Sequence, residues 1–139
     1  MKRILQDNNT YILSAKRGED LVEGLKKFCE EYRIEAAYFT AIGAAGEVEL
    51  AWYDLGAKQY VTALLQENLE IVSLTGNVSK IGNDTIVHSH GVFSNKAMES
   101  KAGHINKAVV SGACEVMLTR LEGKIERVFD EETGLNLMA

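Results

Sequence analysis

Two of the chain's three histidines, His88 and His90, lie two positions apart in the segment DTIVHSHGVFSN. The rest of this segment has the apolar and β-branched residues of a buried strand. Side chains at i and i+2 of a strand point to one face, with their Cα atoms roughly 6.5–7 Å apart. The third histidine, His104, begins another strand-like segment after a loop that is long enough to fold back. All three imidazoles can therefore meet at one point.

Three neutral imidazoles with an open fourth position form the ligand set of a catalytic-type zinc site, and imidazole also suits copper, nickel or iron. Water in the open position would have its pKa lowered toward about 7. The alternative is three unrelated histidines that make hydrogen bonds or lie at the surface. Because the whole histidine complement falls within residues 88–104, we predict one site of His88, His90 and His104. Its cofactor would be zinc or another divalent transition metal.

A fourth chemical group, Glu115, lies in the strand-like segment CEVMLTRLE. It points away from the face of Cys114, so two interpretations stay open. Glu115 either approaches the histidines as an assisting carboxylate or is an ordinary solvent-exposed side chain. The two cysteines, Cys29 and Cys114, form no CxxC motif, and their apolar surroundings predict buried free thiols.

Other catalytic signatures are missing: the sequence has no HExxH, GxSxG, P-loop or GxGxxG motif. The spacing from Gly82 to His88 and His90 matches the start of the first cupin motif. The cupin glutamate should then lie where Ser94 and Asn95 stand, and the second motif needs a proline that this chain lacks. A cupin site is therefore disfavoured.

The elements that would position these residues are mostly strands. One amphipathic helix is predicted in GEDLVEGLKKFCEEYRI, residues 18–34, from apolar residues at helical spacing. Strands are predicted at 10–16, 36–54 (two strands broken near residues 43–46), 58–66, 69–82, 85–93, 104–110 and 114–122. Strands that follow strands after one early helix indicate an α+β domain with a mainly antiparallel sheet.

Length and charge narrow the class of protein further. The 139 residues suit one domain, 1–139, with a core at about 8–128 and an acidic tail at 129–139 that frays or docks on a neighbour. The net charge of −5 opposes nonspecific binding to nucleic acid. Without a signal peptide or a long apolar run, we expect a soluble, cytoplasmic protein that does not enter a membrane.

Several segments together resemble the PPC domain, the plants-and-prokaryotes conserved domain. They are YFTAIGAAGEVELAWYD, LEIVSLTGNVSKIGNDTIVHSHGVFSN, AGHINKAVV and CEVMLTRLEG, over roughly residues 8–128. The resemblance implies an α+β fold, a mainly antiparallel sheet flanked by helices, and a homotrimer. It also strengthens the prediction that the three histidines form one site. The family usually has Gly-Gly-His where this chain has Ala102-Gly103-His104, a small change that leaves the histidine in place.

Three functions follow as hypotheses. The first is a small metal-binding protein, with zinc as the ion, whose site binds or acts on a small molecule; whether it is an enzyme is left open. The second is a DNA-binding regulator, since family members often carry that label, although this chain has no AT-hook core. The third is a structural assembly module in which the histidines only make hydrogen bonds.

Overall fold

The computed structural model describes all 139 residues, and most of them lie in nine strands. The elements in chain order are β1 (Lys2–Asp7), β2 (Thr10–Lys16), α1 (Leu21–Glu31), β3 (Ala37–Asp54), β4 (Gln59–Leu65), β5 (Leu69–Ile81), β6 (Asp84–Ser94), β7 (Ser100–Arg120), β8 (Arg127–Asp130) and β9 (Leu135–Met138).

The first seven strands form one antiparallel sheet in the order β1-β2-β7-β6-β5-β3-β4. Strands β3 and β7 are long enough to pair with each other as well, so β3, β5, β6 and β7 form a closed circuit of hydrogen-bonded neighbours. Gly43 of β3 allows this closure, because a side chain there would collide with the backbone of Ala113 and Cys114. Within this circuit, residues 90–94 at the end of β6 pair with residues 100–104 at the start of β7.

Helix α1 begins at an N-cap, Asp20, whose carboxylate accepts a 2.9 Å hydrogen bond from the backbone N–H of Glu23. Its apolar stripe faces the sheet and buries Leu21, Leu25, Phe28 and Cys29. The core cluster extends from this stripe to the inner face of the sheet, where Phe39 and Phe93 are fully buried. No helix of this structure combines the length and the apolar character needed to cross a membrane.

The predicted mainly antiparallel sheet is confirmed, but one helix packs on it where helices were expected. The segments expected as two strands at 36–54, and as separate strands at 104–110 and 114–122, are each one continuous strand. Irregularities in the β3–β7 register, between Gly43 and Ala45 for example, explain the apparent breaks. Sequence patterns had not indicated β1.

The C-terminal tail forms a hairpin of β8 and β9, so the fraying considered for residues 129–139 is not observed. Asp130 stabilises its turn, because the Asp130 carboxylate accepts hydrogen bonds from the backbone N–H and the hydroxyl of Thr133 at 2.8 and 2.6 Å. The Tyr53 hydroxyl donates to the Thr133 carbonyl at 2.6 Å, and Lys58 Nζ donates to the Glu131 carbonyl at 2.6 Å. These contacts attach the hairpin to β3 and to the turn that joins β3 and β4.

Candidate metal centre

The pairing of β6 with β7 brings the three histidines together. His90 lies directly opposite His104 in the antiparallel register. His88 lies two residues before His90 and therefore on the same face. This face is the outer face of the sheet, since the alternate residues Ser89 and Phe93 are the ones that point into the core.

The imidazole rings are close enough to share one ion. Their centroids lie 5.1 Å apart for His88 and His104, 5.2 Å for His88 and His90, and 5.3 Å for His90 and His104. One nitrogen from each ring lies within 4.8 Å of the others. Nitrogens bound tetrahedrally to zinc at about 2.1 Å are roughly 3.4 Å apart, so small side-chain rotations complete the geometry. The residues present fit a metal ion.

Glycine at position 103 holds His104 in place. A Cβ atom on Gly103 would lie 2.9 Å from the carbonyl oxygen of Ala51, a backbone atom that cannot move aside cheaply. The next residue, His104, pairs with Ala51 in the β3–β7 ladder. Close approach of β7 to β3 at Gly103 therefore fixes the point from which the His104 side chain leaves the sheet.

Electrostatics keep His88 and His104 in the neutral form that binds metals. Burial is the main cause that lowers the pKa of His88 to about 4, with smaller contributions from His104, Arg127 and His90. Burial and the neighbouring His90 also lower the pKa of His104. The Nδ1 atom of His104 is buried without a hydrogen-bond partner. A buried polar atom that lacks a partner is costly, and a metal ion would satisfy it.

Arg127, the first residue of β8, contacts His88 from the C-terminal hairpin. Its Nη2 atom lies 3.3 Å from His88 Nδ1, and the same atom donates to Asn77 Oδ1 at 3.0 Å. Its Nε and Nη1 atoms donate to Ser79 Oγ at 2.7 Å and to the Asn136 carbonyl at 2.9 Å. Because guanidinium only donates, His88 Nδ1 is the acceptor, and neutral His88 then carries its proton on Nε2.

The histidines open into a cavity of about 780 Å³ between the sheet and the C-terminal hairpin. This volume is in the range of sites that bind small organic molecules. Its walls include Trp52, Tyr60 and Leu135, and the Tyr60 ring lies 5.3 Å from the His104 ring. An ion on the histidines would therefore face a space that can hold a small molecule.

Glu115 does not lie with the histidines. It is on their outer face of the sheet, since its neighbours Cys114 and Val116 are the residues that point into the core. His104 and Glu115 lie on the same strand, β7, but 11 residues apart, which at about 3.3 Å per residue separates them by roughly 30 Å along the strand. Glu115 lines separate cavities beside Ile42. Within one chain, Glu115 therefore does not approach the histidines, and it is a solvent-exposed side chain, the second of the two interpretations.

Arg127 and Tyr60 belong to the site and had not been singled out from the sequence. Arg127 follows a turn-like stretch and precedes the acidic tail, so nothing local indicates contact with a strand 39 residues away in sequence. Tyr60 is one of six consecutive exposed residues of β4, which is an edge strand of the sheet. Only the pairing of β4 and the hairpin with the rest of the fold reveals both residues.

Comparison with known proteins assigns the family. Residues 3–122 match the Plants and Prokaryotes Conserved (PCC) domain. The chain belongs to this family, which confirms the resemblance to the PPC domain. No curated protein matches it.

Three solved structures have a similar fold and at least 30% sequence identity to this chain. A metal-containing protein from Archaeoglobus fulgidus is 39% identical, with a TM-score of 0.90 over 100% of this chain and 99% of that one. A plant- and prokaryote-conserved (PPC) protein from Pyrococcus horikoshii is 31% identical, with a TM-score of 0.89 over 94% and 90% of the two chains. A protein from Bacteroides thetaiotaomicron, provisionally named as DNA-binding, is 30% identical, with a TM-score of 0.94 over 97% and 94%.

Proposed function

We propose that this protein binds one divalent transition metal, with zinc as the expected ion, through His88, His90 and His104. We further propose that this metal site binds or acts on a small molecule. The observation that carries the proposal is the convergence of three imidazoles whose nitrogens lie within 4.8 Å of one another. The partnerless Nδ1 atom of His104 supports it, because a metal ligand accounts for an otherwise costly buried atom. The metal-containing relative from Archaeoglobus fulgidus supports it further.

The chemistry of such a site follows from its donor set. Three imidazoles leave a position open, where bound zinc supplies Lewis acidity to a carbonyl or activates water. The chain's own residues shape the space around that position. Tyr60 and Trp52 form part of the wall, and Arg127 holds a positive charge beside His88. These residues would orient a small molecule and limit the entry of water.

Metal content tests this proposal directly. Untagged protein, purified without chelator and then equilibrated with one equivalent of zinc, should retain about one zinc per chain after gel filtration, by elemental analysis. The double variant His88→Ala, His90→Ala should retain none, because one imidazole cannot hold the ion. Lys101→Ala, an exposed change on β7, is the matched control and should retain zinc like the wild type. Wild-type protein that takes up no zinc would refute the proposal.

We also propose a homotrimer, as the family resemblance implies, located in the cytoplasm. Exposed apolar side chains on the outer sheet face support assembly: Tyr38 is 53% exposed, Ile42 56% and Met117 58%. Met117 pairs with Thr40, which lies between Tyr38 and Ile42 on β3. The two buried free thiols, Cys29 and Cys114, suit a reducing compartment.

DNA binding is the second candidate function. It is favoured by the provisional name of the Bacteroides thetaiotaomicron relative. The net charge of −5 opposes it, since nonspecific affinity for DNA comes from Lys and Arg contacts to phosphates.

A further inference from the structure

The cavity beside the histidines is positively charged although the chain as a whole is acidic. Lys58 and Arg127 line it, and no aspartate or glutamate does. Arg127 forms no ion pair with any carboxylate of the chain. Arginine is always protonated at neutral pH, so its charge is balanced by nothing inside this cavity.

Arg127 also has hydrogen-bonding capacity to spare. Its guanidinium carries five N–H groups. Four of them are used by Ser79 Oγ, Asn77 Oδ1, the Asn136 carbonyl and His88 Nδ1. The remaining N–H, on Nη1, has no acceptor in the chain. A ligand in the cavity could accept from it.

Metal binding would free a second donor. A metal on His88 Nδ1 would take the lone pair that now accepts from Arg127. A metal on His88 Nε2 requires the proton to reside on Nδ1, which then cannot accept. In both cases the 3.3 Å contact between Arg127 Nη2 and His88 Nδ1 is lost. The released N–H of Arg127 and the metal ion then both present positive charge to the part of the cavity beside His88.

Resting on the proposed metal site, we propose that the cavity binds a small organic carboxylate, with the carboxylate held by Arg127 next to the metal-bound histidines. A planar carboxylate matches two N–H donors of a guanidinium, and it offsets the charge that the ion and Arg127 bring together. The organic part of the ligand lies against the apolar walls, which include Trp52, Ile86 and Leu137. The cavity volume of about 780 Å³ leaves room for a ring or a branched chain.

The C-terminal hairpin is the element that selects the ligand. Arg127, Leu135 and Leu137 all come from it, whereas the three histidines come from β6 and β7. The match to the family covers residues 3–122 and ends before the hairpin begins. The metal ligands therefore belong to the family-matched core, and the residues that bind the carboxylate lie outside it.

Calorimetric titration with mandelate and mandelamide tests the inference. Both probes carry a hydroxyl group and a phenyl ring, but mandelate has a charged carboxylate where mandelamide has a neutral amide. Zinc-loaded wild-type protein should bind mandelate at least about tenfold more tightly than mandelamide, the effect of a hydrogen bond to a charged group. Arg127→Gln should lose this preference. Arg127→Lys should keep part of it, because a lysine retains the charge without the planar pair of donors.

Lys124→Gln is the matched control, since it removes one positive charge from an exposed site outside the cavity and should leave the preference intact. Zinc retained by Arg127→Gln shows that this variant is folded. Equal binding of both probes to zinc-loaded wild type, or an undiminished preference in Arg127→Gln, would overturn the inference. Failure of wild type to take up zinc contradicts the proposed function instead. A preference for mandelate in that metal-free protein, lost in Arg127→Gln, would still support the carboxylate site.

Discussion

At the scale of single residues, the histidine cluster is held by burial and by the period of a strand. His88 and His90 share a face because they are two residues apart, and His104 joins them through a direct pairing with His90. Burial favours the neutral imidazoles of His88 and His104, the form in which nitrogen lone pairs are free to bind a metal. Arg127 holds one of these lone pairs through a hydrogen bond.

The lowered pKa of His88 predicts a pH dependence of folding stability. An unfolded His88 takes up a proton as the pH falls through its ordinary value of 6.5, whereas the folded residue does so only near 4. The unfolded state therefore binds more protons between these values, and acidification from pH 7 to pH 5 should destabilise the metal-free protein. Thermal unfolding followed by circular dichroism should show a smaller decrease in Tm for His88→Gln. Parallel curves for the two proteins would contradict the assignment.

The sequence was sufficient to predict the cluster of three histidines at this scale but not its surroundings. A single histidine on a strand is not informative, but three histidines within residues 88–104 are a specific pattern. Arg127 and Tyr60 are common residue types in unremarkable positions, and their roles depend on contacts far apart in the chain. Glu115 has the correct face but lies near the far end of β7 from His104, which becomes apparent only because residues 100–120 form one continuous strand.

At the scale of elements, β3 and β7 position the site through close backbone approach. Gly103 has no room for a side chain beside the Ala51 carbonyl. Both strands were predicted, but each was divided in two, because small residues and glycines at the register irregularities have the pattern of turns. The hairpin of β8 and β9 was missed since an acidic, glycine-containing terminus is typical of a frayed end.

Substitution of Gly103 by alanine should therefore separate β7 from β3 near His104. We expect a loss of about 1–3 kcal/mol in the free energy of unfolding, the usual cost of an added methyl group in a tight contact. Gly112→Ala on the same strand is the control, because its added Cβ would only meet Ala44 Cβ at 4.0 Å. Urea unfolding of both variants measures the difference. Equal stability of Gly103→Ala and Gly112→Ala would show that the approach at Gly103 is not tight.

At the scale of the whole molecule, charge and exposed apolar surface decide which partners are suitable. A net charge of −5 predicts no salt-sensitive affinity for DNA. A gel-shift titration with a random duplex of about 30 base pairs should show no complex at roughly tens of micromolar protein. A salt concentration of about 50 mM is low enough to detect nonspecific binding. A shift that weakens steeply with added salt would instead favour the DNA-binding function.

Assembly is the second property of the whole molecule. If the apolar face around Tyr38, Ile42 and Met117 is an interface, sedimentation equilibrium should give three times the chain mass of 15.3 kDa. Ile42→Lys, which places a charge in this face, should shift the protein toward monomer because an unpaired charge is costly to bury. A wild-type protein that sediments as a monomer would refute the proposed trimer.

The central claim is that His88, His90 and His104 bind one zinc ion together, and X-ray absorption spectroscopy at the zinc edge tests it most directly. We expect a first shell of three imidazole nitrogens at about 2.0–2.1 Å with one further light ligand. His104→Ala should lose one of these imidazoles or the ion itself. A first shell that contains sulfur at about 2.3 Å, or that lacks imidazole, would contradict the account.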